Sequence, residues 1–405
     1  MIRNIRIKNF KAIKDLTIEL TPFTVLIGEN SSGKSTVIQA LDFLCSIASR
    51  DIDEYLKDRD WEFDEIKSHF SAPDDSVCFT TDICINEVTL LWEISINNCD
   101  GKWQIKESIC NAVSNECYLS YGCQPHDMPF DFSQLNIKSS ALKMLDIDRT
   151  IPTTAKFDPV LFGLKSLLSS SNSFELLSPD RMRSRGSRGK PDNIGIGGEK
   201  LAAYIHGMLP HKKNELNKLL SDFIGYEIKI TTTTKGQPGW VEMYLVETWD
   251  NKETKIKKRY ISDGLLRIIA LSAILVAHES KKSSQQSPTL ENGYLRGLIM
   301  LDEIEDGISP DYSEKLIEYF RKMVVDMKRQ VVVTSHSPVM LNFVDETDIQ
   351  FMWRDNKGNI NVKPLFMTDE MKGTLDILGP GEVWLNYPKE TIIERISMVQ
   401  EGAHD

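Results

Sequence analysis

The sequence predicts an α/β protein: two lobes of strands and helices, an antiparallel β subdomain in the first lobe, and a helical region inserted between them. Three observations carry this expectation. Short apolar runs at 25–27, 298–301 and 330–334 read as buried strands, and each ends in polar residues. Segments 77–86, 88–96, 102–109 and 116–121 read as short strands separated by turn signals such as Asn97-Asn98-Cys99-Asp100-Gly101, the pattern of an antiparallel sheet. Residues 134–146, 158–170 and 212–224 show helical spacing instead. The expected organisation is a first lobe over 1–130, a helical insert over 131–225 and a second lobe over 226–405.

Taken in order, Ile2, Ile5 and Ile7 alternate with Arg3, Arg6 and Lys8, and 16–20 reads LTIEL, so the chain opens on a β-hairpin. Phe10 in its connection could flank a nucleotide base, but sheet packing is the expected role. The strand Phe23–Ile27 then runs into Gly28, Glu29, Asn30, Ser31, Ser32, Gly33, Lys34, Ser35 and Thr36. The first eight fit G-x-x-x-x-G-K-[ST], the P-loop. Gly28 and Gly33 allow the tight turn that points backbone N–H groups at phosphate oxygens. Lys34 brings positive charge to the β- and γ-phosphates, and the Ser35 hydroxyl can ligate Mg²⁺. Val37, Ile38, Leu41, Leu44 and Ala48 recur at helical spacing, and that helix's N-terminus adds partial positive charge. A bound nucleoside triphosphate is expected.

Composition bounds what else the chain can be. Its 405 residues are 41% hydrophobic and 26% charged, a globular balance with room for one large domain or two to three ordinary ones. No apolar run approaches the roughly 18 residues of a membrane span. The first residues alternate charged and apolar side chains, unlike a signal peptide. Seven cysteines show no C-x-x-C pair or zinc spacing, which suits a reducing cytoplasm. The net charge of −11 repels nucleic acid in bulk, so any such contact must come from a local basic patch.

One such patch exists. Arg181, Arg183, Arg185, Arg188 and Lys190 lie within ten residues among glycines and serines, and 178–190 reads as a flexible basic loop. Phosphate contact and a merely solvated loop are both open readings. Strands are expected again at 227–234 and 240–247, at 348–353 and 359–364, and a last helix near 389–400; 279–297 reads as a polar surface loop.

The second half carries further chemistry. LIMLDE at 298–303 is a Walker B pattern in which Asp302 holds the Mg²⁺ shell and Glu303 orients and deprotonates the attacking water. The strand 330–334 ends in Ser335-His336-Ser337-Pro338, where open α/β sheets hold ligands, so His336 can sense or stabilise a γ-phosphate. Ser262, Asp263 and Gly264 open a helix with Leu266, Ile269, Ala270, Ala273 and Ile274 on its apolar face, and Ser262 is a natural N-cap.

As an ordered set, IRIKNFKAI, GENSSGKST, SPDR, ISDGLLRIIAL, LIMLDEIEDGISP and VVVTSHSP resemble ATP-binding-cassette (ABC) ATPases of the RecF, structural-maintenance-of-chromosomes (SMC) and overcoming-lysogenization-defect type. More narrowly, they are similar to the AAA-family ATPases of prokaryotic anti-phage defence operons. The matched motifs lie within 1–48 and 255–345. The resemblance implies an ABC-type P-loop ATPase head using ATP and Mg²⁺. It implies that Ser262 and Gly264 belong to a signature motif contacting ATP held by a second copy, that Asp306 lies in the D-loop, and that His336 is the switch histidine. Gln104, Gln124 and Gln134 are candidates for its Q-loop glutamine. Residues 50–250 are too short and too poor in heptads for a long coiled coil. The roughly 60 residues after His336 leave no room for a Toprim nuclease domain, so a separately encoded effector, a nuclease, is the expected partner. The alternative is a RecF-like clamp acting on DNA or RNA through the basic loop; a transporter subunit is disfavoured by the ISDG signature and the long insert.

Overall fold

The structure is a computed structural model and describes residues 1–70, 72, 75–99, 101–122, 138–144, 159–175, 179–183, 191, 193–234, 240–277 and 296–401. The hairpin β1 (Ile2–Phe10) and β2 (Ile13–Glu19) leads to β3 (Phe23–Gly28) and the long helix α1 (Lys34–Ile47). Two short helices follow, α2 (Ile52–Asp58) and α3 (Phe63–Ile66), and then the meander β4 (Val77–Ile85), β5 (Val88–Cys99), β6 (Lys102–Asn111) and β7 (Cys117–Tyr121). Next come α4 (Pro159–Ser169), β8 (Asn172–Phe174), α5 (Pro179–Arg183), α6 (Leu201–Gly207) and α7 (Pro210–Ile224). Strands β9 (Ile228–Thr234), β10 (Val241–Trp249) and β11 (Lys252–Lys257) precede α8 (Asp263–Ala277). The chain continues through β12 (Arg296–Leu301), α9 (Ser313–Val325), β13 (Arg329–Thr334), α10 (Pro338–Leu341), β14 (Ile349–Arg354) and β15 (Ile360–Pro364). It closes on α11 (Asp369–Gly373), α12 (Pro380–Asn386) and α13 (Lys389–Glu401).

The central sheet has the order β15-β14-β3-β13-β12-β8, parallel from β14 to β8, with β15 antiparallel at its edge. Successive strand residues face opposite sides, and here both sides are apolar. Val25 and Ile27 of β3, with Val331 and Val333 of β13, join a core with helices α6 to α9 and β9–β10. Leu26 and Val332 join a second core with α1 and the antiparallel sheet. A parallel sheet covered on both faces reads as continuous apolar runs, which is why VLI, LIM and VVV could be recognised as strands.

The antiparallel sheet has the order β2-β1-β4-β5-β6-β7. Ile5, Ile7 and Phe10 of β1 turn one face toward α1, where the rings of Phe10, Phe43 and Phe79 lie 5.9 to 6.0 Å apart. Such pairs contribute about 0.5–1.5 kcal/mol each beyond their buried area, and Phe10 is a packing residue. The buried Gln330 side chain ties the two sheets together. Its amide donates to the carbonyls of Ile2 (2.7 Å) and Thr21 (3.1 Å), and its carbonyl accepts from the Ile2 N–H (2.9 Å).

Several expectations are corrected. Residues 179–183 are a short helix rather than a flexible loop, because Met182 is buried and Arg183 is bound on three sides, as described below. The expected helix over 134–146 is a 3₁₀ turn at Ala141–Met144 within its described part. Residues 296–297 of the expected surface loop are the start of β12; residues 278–295 lie outside the described residues. Strand β11 is exposed at all but Ile256 and reads as charged, which hid it, and the three-residue β8 is too short to show a period. That strand places part of 131–225 at the edge of the central sheet, paired in parallel with β12.

Candidate active site

The site forms where three adjacent parallel strands end. Thr334 of β13 pairs with Leu26 of β3, and Val333 with Leu301 of β12, so the segments after β3, β12 and β13 emerge side by side. In open α/β sheets this edge is the binding edge.

The P-loop follows β3. Gly28 and Gly33 have φ of 151° and 99°, and Ser31 is left-handed at 64°. A Cβ on Gly28 would lie 2.2 Å from the Met352 carbonyl oxygen, and one on Gly33 would lie 2.4 Å from Ile360 Cδ1. Only glycine fits either place. Helix α1 begins with no side-chain cap and no acidic residue in its first turn, so its leading N–H groups and positive end are left for an anion. Lys34 arches back over the loop, its Nζ donating to the carbonyls of Gly28 and Glu29 at 2.9 Å each. Burial lowers the Lys34 pKa, opposed by Asp302, Glu303 and Glu305. Ser32 Oγ is buried with no hydrogen-bond partner among the described residues. An orphaned hydroxyl, an ammonium and uncapped amides on one glycine-bounded loop fit the phosphates of a nucleotide.

The carboxylates come from the end of β12. Thr334 Oγ1 donates to Asp302 Oδ1 (2.6 Å) and accepts from the Glu303 N–H (2.8 Å). Glu303 is left-handed at φ 47°, a conformation costing about 1–2 kcal/mol for a side-chain-bearing residue; the Thr334 bond holds it there. His336 follows β13, its Nε2 lying 3.8 Å from Glu303 Oε1. That distance exceeds a hydrogen bond. Burial first, then Lys34, lowers the imidazole's pKa against the pull of Glu305, Glu303 and Asp302, so the neutral ring is favoured and the pair is not an ion pair. Asp302 and Ser35 could contribute to an Mg²⁺ shell completed by phosphate oxygens and water, as this ion prefers.

The expected signature residues sit on a separate turn. Ser262 caps α8, its Oγ accepting from the Leu265 N–H at 3.4 Å, and both Ser262 and Asp263 are exposed. The turn packs on residues 306 and 307 of the same chain. A Cβ on Gly264 would lie 2.1 Å from the Gly307 carbonyl oxygen, and Arg267 Nη2 donates to Asp306 Oδ2 at 2.7 Å. Arg183 braces its other side, donating to the Ile261 carbonyl (2.9 Å), to Asp263 and to Asp180 (3.3 Å). Arg181 lies against Gly197, where a Cβ would come within 2.6 Å of its Cδ. Arg185, Arg188 and Lys190 lie outside the described residues, as do Gln124 and Gln134; Gln104 is exposed on β6.

Sequence reasoning missed Thr334, Glu305, Arg267, and two outer braces on the P-loop. Arg354 Nε donates to the Ser31 carbonyl (2.7 Å), and Lys389 pairs with Glu29 Oε2 (2.8 Å). Glu305 was visible as the third acid of LDEIED; the others depend on tertiary neighbours, across strands, helices and loops, that no local pattern records.

Two family models match the chain, one described as "AAA ATPase domain" over residues 1–119 and one as "AAA domain, putative AbiEii toxin, Type IV TA system" over residues 160–342. A solved SMC head, bound in its crystal to the C-winged helix domain of ScpA, aligns with TM-score 0.57 and 13% identity over 92% of this chain and 99% of that one. The fold is that of an SMC head, the fold of ABC-type ATPase heads. Looser alignments are found with SMC heads from Pyrococcus furiosus (TM-score 0.49, 13% identity, 93% of this chain and 99% of that one) and Thermotoga maritima (0.43, 14%, 90% and 98%). A curated OLD nuclease from Thermus scotoductus is 29% identical over 79 residues, which is 18% of this chain and 15% of that protein. Among the described residues of the head, no helix is long and apolar enough to cross a membrane.

Proposed function

We propose that the chain hydrolyses ATP and that two copies close head to tail around two ATP molecules. The carrying observation is the convergence of Lys34, Asp302, Glu303 and His336 on the ends of three adjacent strands, close enough that Lys34 and His336 each respond to both carboxylates. Gly28 to Thr36 would wrap the phosphates, with the Lys34 ammonium swinging from its own loop carbonyls onto the β- and γ-phosphates. Glu303 would orient and deprotonate the attacking water, and the neutral His336 would donate to the γ-phosphate. Mg²⁺, when bound through Ser35 and Asp302, would neutralise charge developing on the phosphate oxygens. The exposed Ser262 and Gly264 turn would complete the site of the second copy, and Asp306 would line the same interface.

Closure on ATP and opening after hydrolysis would be the output, a population shift between two states. We propose that this cytoplasmic cycle regulates or scaffolds a separate effector, a nuclease, in anti-phage defence. Support comes from the match to an OLD nuclease and from an SMC head solved with a partner domain seated on it. The competing DNA clamp would draw on the basic segment, of which Arg183 is held by Asp263 in the same chain.

The test is Glu303→Gln. Turnover is expected to fall by about 10²–10⁴-fold, and light scattering should find a dimer with Mg–ATP and a monomer without. A monomer under both conditions would refute the head-to-tail site. Salt-sensitive binding of the trapped dimer to duplex, single-stranded DNA or RNA would favour the clamp instead.

A further inference from the structure

We propose that Glu305 is a positioning residue for His336, acting on its backbone; the catalytic consequence rests on the ATPase reading above. Glu305 Oε1 accepts a hydrogen bond from the His336 N–H, at the point where the chain leaves β13. Its other oxygen, Oε2, is buried and has no hydrogen-bond partner among the described residues, so this carboxylate is not a surface charge that happens to lie nearby. Among the described residues the His336 ring makes no hydrogen bond, and Glu303 Oε1 lies 3.8 Å from its Nε2. Where the ring points is therefore set by where the backbone is pinned, and Glu305 pins it.

The same acid joins that pin to the signature turn. Residues 303–308 form a compact loop in which the Asp306 N–H donates to the Glu303 carbonyl (3.2 Å) and the Ile308 N–H to the Glu305 carbonyl (2.9 Å). Gly307 in this loop is left-handed at φ 66° and abuts Gly264, while Asp306 holds Arg267. A second copy's phosphate docking on Ser262 and Gly264 pushes on Asp306 and Gly307, and Glu305 carries the displacement to His336. Each chain thereby reports occupation of its signature face to its own switch histidine.

The experiment is amide hydrogen exchange on the full, nucleotide-free chain, comparing wild type, Glu305→Ala and Glu305→Gln. Loss of an ionic acceptor should speed exchange at the His336 amide by about tenfold or more in Glu305→Ala, with Val331 to Val333 unchanged. Glu305→Gln, whose amide oxygen can still accept, should exchange like wild type. Turnover by Glu305→Ala should fall by about 100-fold while its Kd for a non-hydrolysable ATP analogue holds. Unchanged His336 exchange in Glu305→Ala overturns the proposal. So does a Glu305→Gln as fast as Glu305→Ala, which would make charge the agent, or equal acceleration along β13, which would make the effect a general loosening. A wild-type chain that turns over no ATP would defeat the ATPase reading and leave the exchange result standing.

Discussion

Lys11 shows how one residue can carry a cost that the rest of the fold absorbs. Its ammonium lies 3.1 Å from the centre of the Trp61 ring and donates to Gln39 Oε1 at 2.9 Å. Burial, and then the neighbouring Arg59, lower its pKa from 10.5 to about 8. Below about pH 8 the native state bears the full cost of holding this charge. Between about pH 8 and 10.5 the native lysine is neutral while the unfolded one is charged. The unfolded state then binds more protons, and stability rises with pH. Lys11→Met keeps the aliphatic stem on Trp61 and removes the charge. It should raise the urea midpoint at pH 7 and flatten the rise above pH 8; a rise as steep as in wild type would show that another group causes it.

At the scale of elements, the start of α8 and the loop 306–308 pack as one block. Gly264 is required because its neighbour is the Gly307 carbonyl rather than a side chain that could turn aside. Gly264→Ala must displace residues 306–308, a strain of about 1–3 kcal/mol, so the urea midpoint should fall by that equivalent. ATP turnover should fall with it while nucleotide Kd is kept, since the P-loop is built on β3 and α1. Loss of nucleotide affinity instead would mean that the two blocks are not separable. Element recognition from sequence succeeded where burial imposed a period. It succeeded for β3, β12 and β13, buried on both faces, and for the alternating meander β4 to β7. It failed for β11, whose KETKIK is almost wholly exposed, and for α5, where one buried Met182 and the Arg183 contacts decide a helix that glycine and arginine content argued against.

For the whole molecule, the proposed cycle makes stability depend on both ligand and protein concentration. A ligand at about 100 times its Kd adds about 2.7 kcal/mol by mass action. If ATP also joins two copies, the melting temperature of Glu303→Gln with Mg–ATP should climb with protein concentration, and without nucleotide it should not. A melting temperature that rises with ATP yet ignores protein concentration would describe a monomeric ATP binder.

The sequence by itself determined the chemical inventory and the fold class. P-loop glycines, the Asp302-Glu303 pair and the buried runs before them are local patterns, each dictated by what a phosphate turn or a two-faced strand demands of consecutive residues. Tertiary structure alone decided which inventory meets. That β13 lies between β3 and β12 is what gives Thr334 both Asp302 and Glu303, and what lets Glu305 reach the His336 backbone. Likewise Arg183, read in sequence as one cation of a basic run, is 80 residues from the Asp263 it holds. Hydrogen bonds of this kind join side chains across strand and helix order, and lateral order is set by packing of the whole sheet, which no window of sequence contains.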